Sequence, residues 1–190
     1  MPADNAMGNC QIYASPGKFC ILVQPLEGQE QLVRMGHVKS DAVVAQPVDG
    51  FDVDTFVREN WSGLWNAQDQ ALLRRNYVTD FTFAGTTDRA FTGPESYARM
   101  VAEFCQCFSG LQLEMDEVYW MGNAEQGFLT AERWSGTAIH SGNGQYGPAT
   151  GAEVQVWGIT QHRIVGGLIV QEWMLFNELE LMMQIIAARD

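Results

Sequence analysis

The residues best suited to chemistry lie in the last third of the chain. In FLTAERWSGTAIHSGNGQYGPATGAEVQVWGITQHRIVGGLIVQEWMLFNELELMMQ, residues 128–184, His140 ends one predicted strand. Trp157 and His162 fall on a second strand, and Glu172, Trp173 and Asn177 on a third. Histidine suits proton transfer because its free pKa lies near working pH, whereas an asparagine amide only donates and accepts hydrogen bonds. The candidates for a base are therefore His140, His162, Glu172 and Asp80. His37, alone in an uninformative stretch, reads as a surface residue. Glu172 and Asn177 are five apart and face opposite sides of a regular strand, so only one can line a cavity unless a bulge intervenes. The reading adopted here turns Asn177 and Trp173 inward and Glu172 outward, toward Arg133 or Arg163. Trp61, Trp65, Tyr77 and Trp157 can wall a flat ligand, although the helical spacing of Trp61 and Trp65 is also that of plain core.

These residues must be held by a scaffold. From Asp52, the apolar positions Val53, Phe56, Val57, Trp61, Leu64 and Trp65 recur at helical spacing. Asp69 opens a second short helix, DQALLRRNY, followed by a strand FTFAG at 81–85 and a loop TTDRAFTG. Pro94 and Glu95 mark a helix start, and Gly110 its end. LQLEMDEVYWM alternates as a strand at 111–121; strands at 128–140 and 152–164 and the one bearing Glu172 follow, and NELELMMQIIAARD closes as a helix. Four consecutive strands imply a mostly antiparallel sheet with helices gathered on one face. The expected fold is α+β: a cone-shaped, curved antiparallel sheet wrapped over three to four helices, a cystatin-like α+β barrel with an apolar hollow. Residues 51–190 form this domain, and residues 1–50 an N-terminal arm with a short strand pair around Ser15-Pro16-Gly17 and a short helix. Neither face of the 128–140 and 152–164 strands is cleanly polar, which implies a homodimer through the outer face of the sheet.

At 190 residues, 46% hydrophobic and 18% charged, the chain can bury a sizeable core. A net charge of −12 excludes nucleic acid and an anionic membrane surface as partners. No apolar run reaches the ~20 residues that span a bilayer. The start, MPADNAMGNCQ, lacks the pattern of a signal peptide, so a cytoplasmic protein is expected, with Cys10, Cys20, Cys105 and Cys107 as reduced thiols. No metal site is expected.

The pieces WSGLWN, YVTDFTF, RAFTGPESYARMVAEF, ERWSGTAIHSG, GPATGAEVQVWGITQHRI and VGGLIVQEWMLFNELELMMQI, spread over roughly residues 52–187, resemble the SnoaL-like polyketide cyclases. That family sits in the larger fold group of nuclear transport factor 2, ketosteroid isomerase and scytalone dehydratase. The resemblance implies a cofactor-independent cyclase or isomerase that binds a hydrophobic small molecule and abstracts a proton next to a carbonyl. It places Asn177 where the family carries an acid/base aspartate and His140 on a family histidine. It also places Asp80 where related isomerases and dehydratases often keep polar groups. His140 or His162 would then move the proton, and Asn177 would hold a developing enolate oxygen. The alternative is a non-catalytic small-molecule binding module that has lost the aspartate.

Overall fold

Asp52 starts the first helix. Its carboxylate accepts from the Thr55 amide at 3.1 Å and from the Thr55 hydroxyl at 2.7 Å, which turns the chain into α1 (Val53–Trp61). The computed structural model describes residues 50–189. The predicted strand pair and helix of the arm, with Cys10, Cys20 and His37, lie outside the described residues. After α1 come a wider, π-helical turn (Ser62–Asn66), α2 (Ala71–Asn76), β1 (Tyr77–Gly85), β2 (Ala90–Thr92), α3 (Pro94–Cys107) and β3 (Phe108–Asn123). Then β4 (Gly127–His140), β5 (Glu153–Val165), β6 (Leu168–Phe176) and α4 (Glu178–Ala187) complete the domain.

Four boundaries differ from the sequence reading, each because tertiary pairing captured residues at an element's edge. Tyr77 leaves the second helix and opens β1 with φ −118° and ψ 143°. The stretch read as a loop contains β2, whose Phe91 pairs with Phe83 of β1. Gly110 lies inside β3 at φ 62°, at a register shift between Ser109 and Gln112, because β3 begins directly after α3. β6 stops at Phe176, and Asn177 caps α4.

The sheet order is β2-β1-β6-β5-β4-β3, antiparallel throughout except for the parallel β1–β6 pair. The α+β architecture matches the expectation, but the sheet is curved and open rather than a closed barrel, since β2 and β3 share no pairing. Among the described residues no helix is long and apolar enough to cross a membrane.

Strand alternation decides what enters the core. β4 turns Thr130, Glu132, Trp134, Ala138 and His140 inward, and β5 turns Val154, Val156, Thr160, His162 and Ile164 inward. The helices press Val57, Trp61, Leu64 and Trp65, then Tyr97, Val101 and Phe104, against that face. Asn66 fastens the helical layer to β3, its amide and carbonyl both bonding the Leu113 backbone at 2.8 Å. Arg58 reaches the Met115 carbonyl nearby.

The Trp134 ring fits because its β5 neighbour is Gly158. A Cβ added there would meet Trp134 Cζ2 at 2.4 Å and the Leu175 carbonyl at 2.5 Å. Gly158→Ala is therefore expected to destabilise the domain by about 1–3 kcal/mol through overpacking, read as a lowered denaturant midpoint at constant slope.

Candidate functional site

Three charged side chains stand on the inward face of the sheet, where alternation otherwise places apolar residues. His162 and Glu172 are direct cross-strand partners of β5 and β6, and Glu132 lies opposite Thr160 on β4. His162 Nδ1 is 3.0 Å from Glu132 Oε1, and its Nε2 is 3.3 Å from Glu172 Oε2, an ion contact rather than an aligned hydrogen bond. Glu132 and Glu172 are 0% exposed and His162 1%. The backbone is adapted to hold them. The Thr130 hydroxyl accepts from the His162 amide at 3.0 Å and donates to its carbonyl at 3.2 Å. A register shift beside Arg163 and Ile164 brings Glu172 onto the same inner face as Ile169, three residues earlier.

From the helical side, the Tyr97 hydroxyl of α3 donates to Glu172 Oε1 at 2.6 Å. The Tyr77 hydroxyl accepts from Asn60 Nδ2 at 2.9 Å, and Asn60 Oδ1 accepts from Asn76 Nδ2 at 2.9 Å. Burial, and after it the Glu172 charge, holds both tyrosines well above their ordinary pKa, so they remain hydroxyl donors. Burial alone would push His162 down. The carboxylates of Glu132 and then Glu172 outweigh it and raise His162 from 6.5 to about 10, leaving a protonated imidazolium at neutral pH.

An apolar cleft adjoins this cluster; its interior volume is about 40 Å³. Trp65, Phe83, Phe104, Trp134, Met174 and Phe176 supply much of its wall, and its polar lining comes from Thr86, Arg89, Gln145 and Tyr146. Met174 and Trp134 are each two residues along the strand from Glu172 and Glu132, on the same face, a separation of about 7 Å. The acid–base cluster and the apolar wall are neighbouring layers of one surface.

The sequence-predicted residues are distributed differently from the expectation. His162 joins the cluster, and Tyr77 supports it. Trp65 lines the cleft, while Trp61 packs between Trp65 and Trp134 at ring distances of 5.5 and 5.1 Å. His140 is buried but lies at the far end of β4, its Nδ1 3.1 Å from the Thr150 hydroxyl; burial, with Arg189 nearby, lowers its pKa. Asp80 is exposed.

The placement of Asn177 and Glu172 is reversed. Glu172 shares the parity of buried Met174 and points in, and Trp173 shares that of exposed Leu175 and points away. Asn177, half-buried, is the N-cap residue of α4 without a side-chain capping bond: its Oδ1 accepts from the Trp157 amide at 2.9 Å and its Nδ2 donates to the Glu180 carboxylate at 2.8 Å. Trp157 lies on the outer face, 50% exposed, with its indole donating to Glu180. Arg133 pairs with Asp116 and Glu117, not with Glu172.

Glu132, Tyr97, Arg89 and Glu178 were missed. A signal for Glu132 existed, since it shares strand parity with Trp134; nothing in the sequence connects Tyr97 to a residue 75 positions away. Among the described residues no group of three or more His, Cys, Asp and Glu side chains has metal-binding geometry, and Cys105 and Cys107 are free thiols.

A curved, open six-stranded sheet over four helices, with polar side chains buried on its concave face, defines the ketosteroid isomerase-like α+β class. Within that class the chain belongs to the SnoaL-like polyketide cyclase family, whose sequence profile matches residues 55–185. A protein from Jannaschia sp. CCS1 assigned as a SnoaL-like polyketide cyclase superposes with a TM-score of 0.63 at 20% identity, over 70% of this chain and 91% of that one. TsrD from Streptomyces laurentii gives 0.61 at 20% identity, over 73% and 97%. A protein with a ketosteroid isomerase-like fold from Catenulispora acidiphila DSM 44928 gives 0.55 at 15%, over 68% and 91%. A search of curated proteins finds no match. At these identities the structural likeness speaks for the fold alone.

The raised pKa of His162 ties stability to pH. The ion contacts contribute in full below the unfolded value of 6.5 and are lost as pH climbs through about 10. The unfolding midpoint is expected to fall across that window. The His162 ring signal in NMR should titrate near its upper end, and Glu132→Gln should bring that titration down; a wild-type midpoint near 6.5 would contradict the ion contacts.

Proposed function

We propose that this SnoaL-like protein binds a hydrophobic, ketone-bearing small molecule in the cleft and acts by proton abstraction beside the carbonyl, as a cofactor-independent polyketide cyclase or isomerase. The observation that carries the reading is the fully buried Glu132–His162–Glu172 cluster one residue layer from an apolar cleft. A structural core has little reason to bury two carboxylates around one imidazolium, because desolvation opposes the ion contacts. Perturbed, convergent ionisable groups beside a cavity are the usual mark of a working site.

The bonding within the cluster supports one assignment of roles. His162, protonated at neutral pH, has no lone pair with which to take a proton. Glu172 is the base: its Oε1 is occupied by Tyr97, while its Oε2 has only the ion contact with His162. The proton moves from the carbon beside the carbonyl to Glu172, leaving an enolate. Glu172 then returns it, either to the alkoxide formed by attack on a second carbonyl or to another carbon. His162⁺ lowers the cost of negative charge during the step, and Glu132 holds its ring in place. Asn177 takes no part, because its amide is committed to the Trp157 backbone and the Glu180 carboxylate.

A second reading, the non-catalytic binding module, is favoured by one observation: Glu132, His162 and Glu172 are absent from the cleft lining, which Met174 and Trp134 complete. Deuterium incorporation beside the carbonyl of a β-diketone panel, followed by NMR with affinity measured in parallel, separates the two. For an enzyme, Glu172→Gln should slow exchange by about 10²–10⁴-fold while binding persists. Binding without exchange in the unmutated protein would establish the module.

The outer face of the sheet exposes Trp157, Leu175 and Tyr119 at 50%, 65% and 53%, and α4 exposes Leu179 and Met183. The reading includes a homodimer that covers this face. Leu175→Arg, a change outside the core, should convert the dimer to a monomer in sedimentation velocity; an unchanged sedimentation coefficient would reject this interface.

A further inference from the structure

Thr86, Arg89 and Tyr146, polar side chains of the cleft lining, are bonded to one carboxylate. Glu178, the first residue of α4, accepts from Arg89 Nη1 at 2.8 Å and Nη2 at 2.6 Å, and from the Tyr146 hydroxyl at 3.1 Å. The hydroxyls of Thr86 and Thr87 add longer contacts at 3.3 and 3.4 Å, and Arg89 Nη2 lies 3.4 Å from Gln145 Oε1. The partners come from the β1–β2 turn, the β4–β5 loop and α4. Thr86, Arg89, Gln145 and Tyr146 also line the cleft, whereas Glu178 sits behind them, 8% exposed.

The turn that carries Arg89 is under backbone strain. Thr87 and Asp88 both sit at φ 56°, in the left-handed region that side chains with a Cβ disfavour. Such a conformation persists when surrounding bonds over-determine it. Here those bonds converge on Glu178, while the turn backbone is held by Gly85 donating to the Arg89 carbonyl at 2.7 Å and Arg89 to Thr86 at 3.3 Å. Hydrogen bonding by Arg89 holds Glu178 below the usual carboxylate range, so the acceptor keeps its charge at neutral pH.

We propose that the Arg89–Glu178–Tyr146 cluster is a clasp that narrows the mouth of the cleft, and that a ligand passes when the strained Thr86–Arg89 turn and the Gln145–Tyr146 loop release Glu178. This rests on the cleft being a ligand site, as above. The pair is an internal, nearly saturated contact, so the clasp acts on the rate of passage and not on the identity of the bound head group. A ligand's apolar body contacts the cleft wall whether the clasp is open or shut.

Two measurements on the full chain test it. Amide hydrogen exchange comes first. Glu178→Gln should accelerate exchange at Arg89 and Gly147 together by about tenfold or more, the scale of lost hydrogen bonds to a charged group, while β5 stays protected. Unchanged exchange at those amides, or a loss of protection spread over the whole sheet, would overturn the clasp. Tyr146→Phe, which removes a single donor, should give a smaller change in the same direction.

Stopped-flow binding of a neutral apolar dye, Nile red, comes second. Glu178→Gln should raise the association and dissociation rates by a similar factor and leave Kd nearly unchanged. A change in dissociation alone would show a binding contact and overturn the gate. Accelerated exchange with no dye uptake by either protein would overturn the ligand cleft and leave the closure itself standing.

Discussion

An imidazolium held between two carboxylates, with no exposure to water, constrains the rest of this domain. Desolvation of three ionisable groups opposes folding, and the arrangement is tolerable only where the ion contacts are short and the remaining lone pairs are met. Neighbouring elements meet part of that demand, and Glu132 Oε2 and Glu172 Oε2 are left without a hydrogen-bond partner. β4 supplies Glu132 and the Thr130 hydroxyl, β6 supplies Glu172 through a shifted register, and α3 supplies the Tyr97 donor. The Asn76–Asn60–Tyr77 chain brings α1 and the end of α2 against the same region. The cluster thus links the sheet to its helical layer in a way that apolar packing alone would not specify.

The apolar cleft beside it follows from the curvature of an open sheet over aromatic-rich helices. Trp65 reaches the cavity from the π-helical turn, and Trp134 reaches it because Gly158 leaves room across the strand pair. One concave surface therefore carries a low-dielectric wall and a charged layer in succession. Electrostatic interactions strengthen in such surroundings. The polar part of the cavity lining is bonded together through Glu178.

The architecture was largely legible without coordinates. Helical spacing from Val53 to Trp65 and alternation through the long strands are local signals, and both survive into the structure because burial selects the same faces. The errors fell at edges. Tyr77 and Phe108 were drawn into strands by partners far away in sequence, and Phe91 pairs in what reads as a loop. The site was legible only in part. His162 could be singled out by type, but the assignment of Asn177 to the interior failed, because residue type and family pattern do not reveal which parity of β6 faces the helices.

What the chain determines by itself is periodicity, capping and charge: where helices begin, which residues alternate, and that Glu172 and Asn177 oppose each other. Which of the two is buried depended on the pairing of β6 with β5 and on a one-residue shift in that ladder. The same holds for Glu132 beside His162 and Glu178 beside Arg89, separated by 30 and 89 positions. Contacts across such distances arise from sheet register and curvature. These are set by the collective packing of all six strands against the helices, not by any local preference.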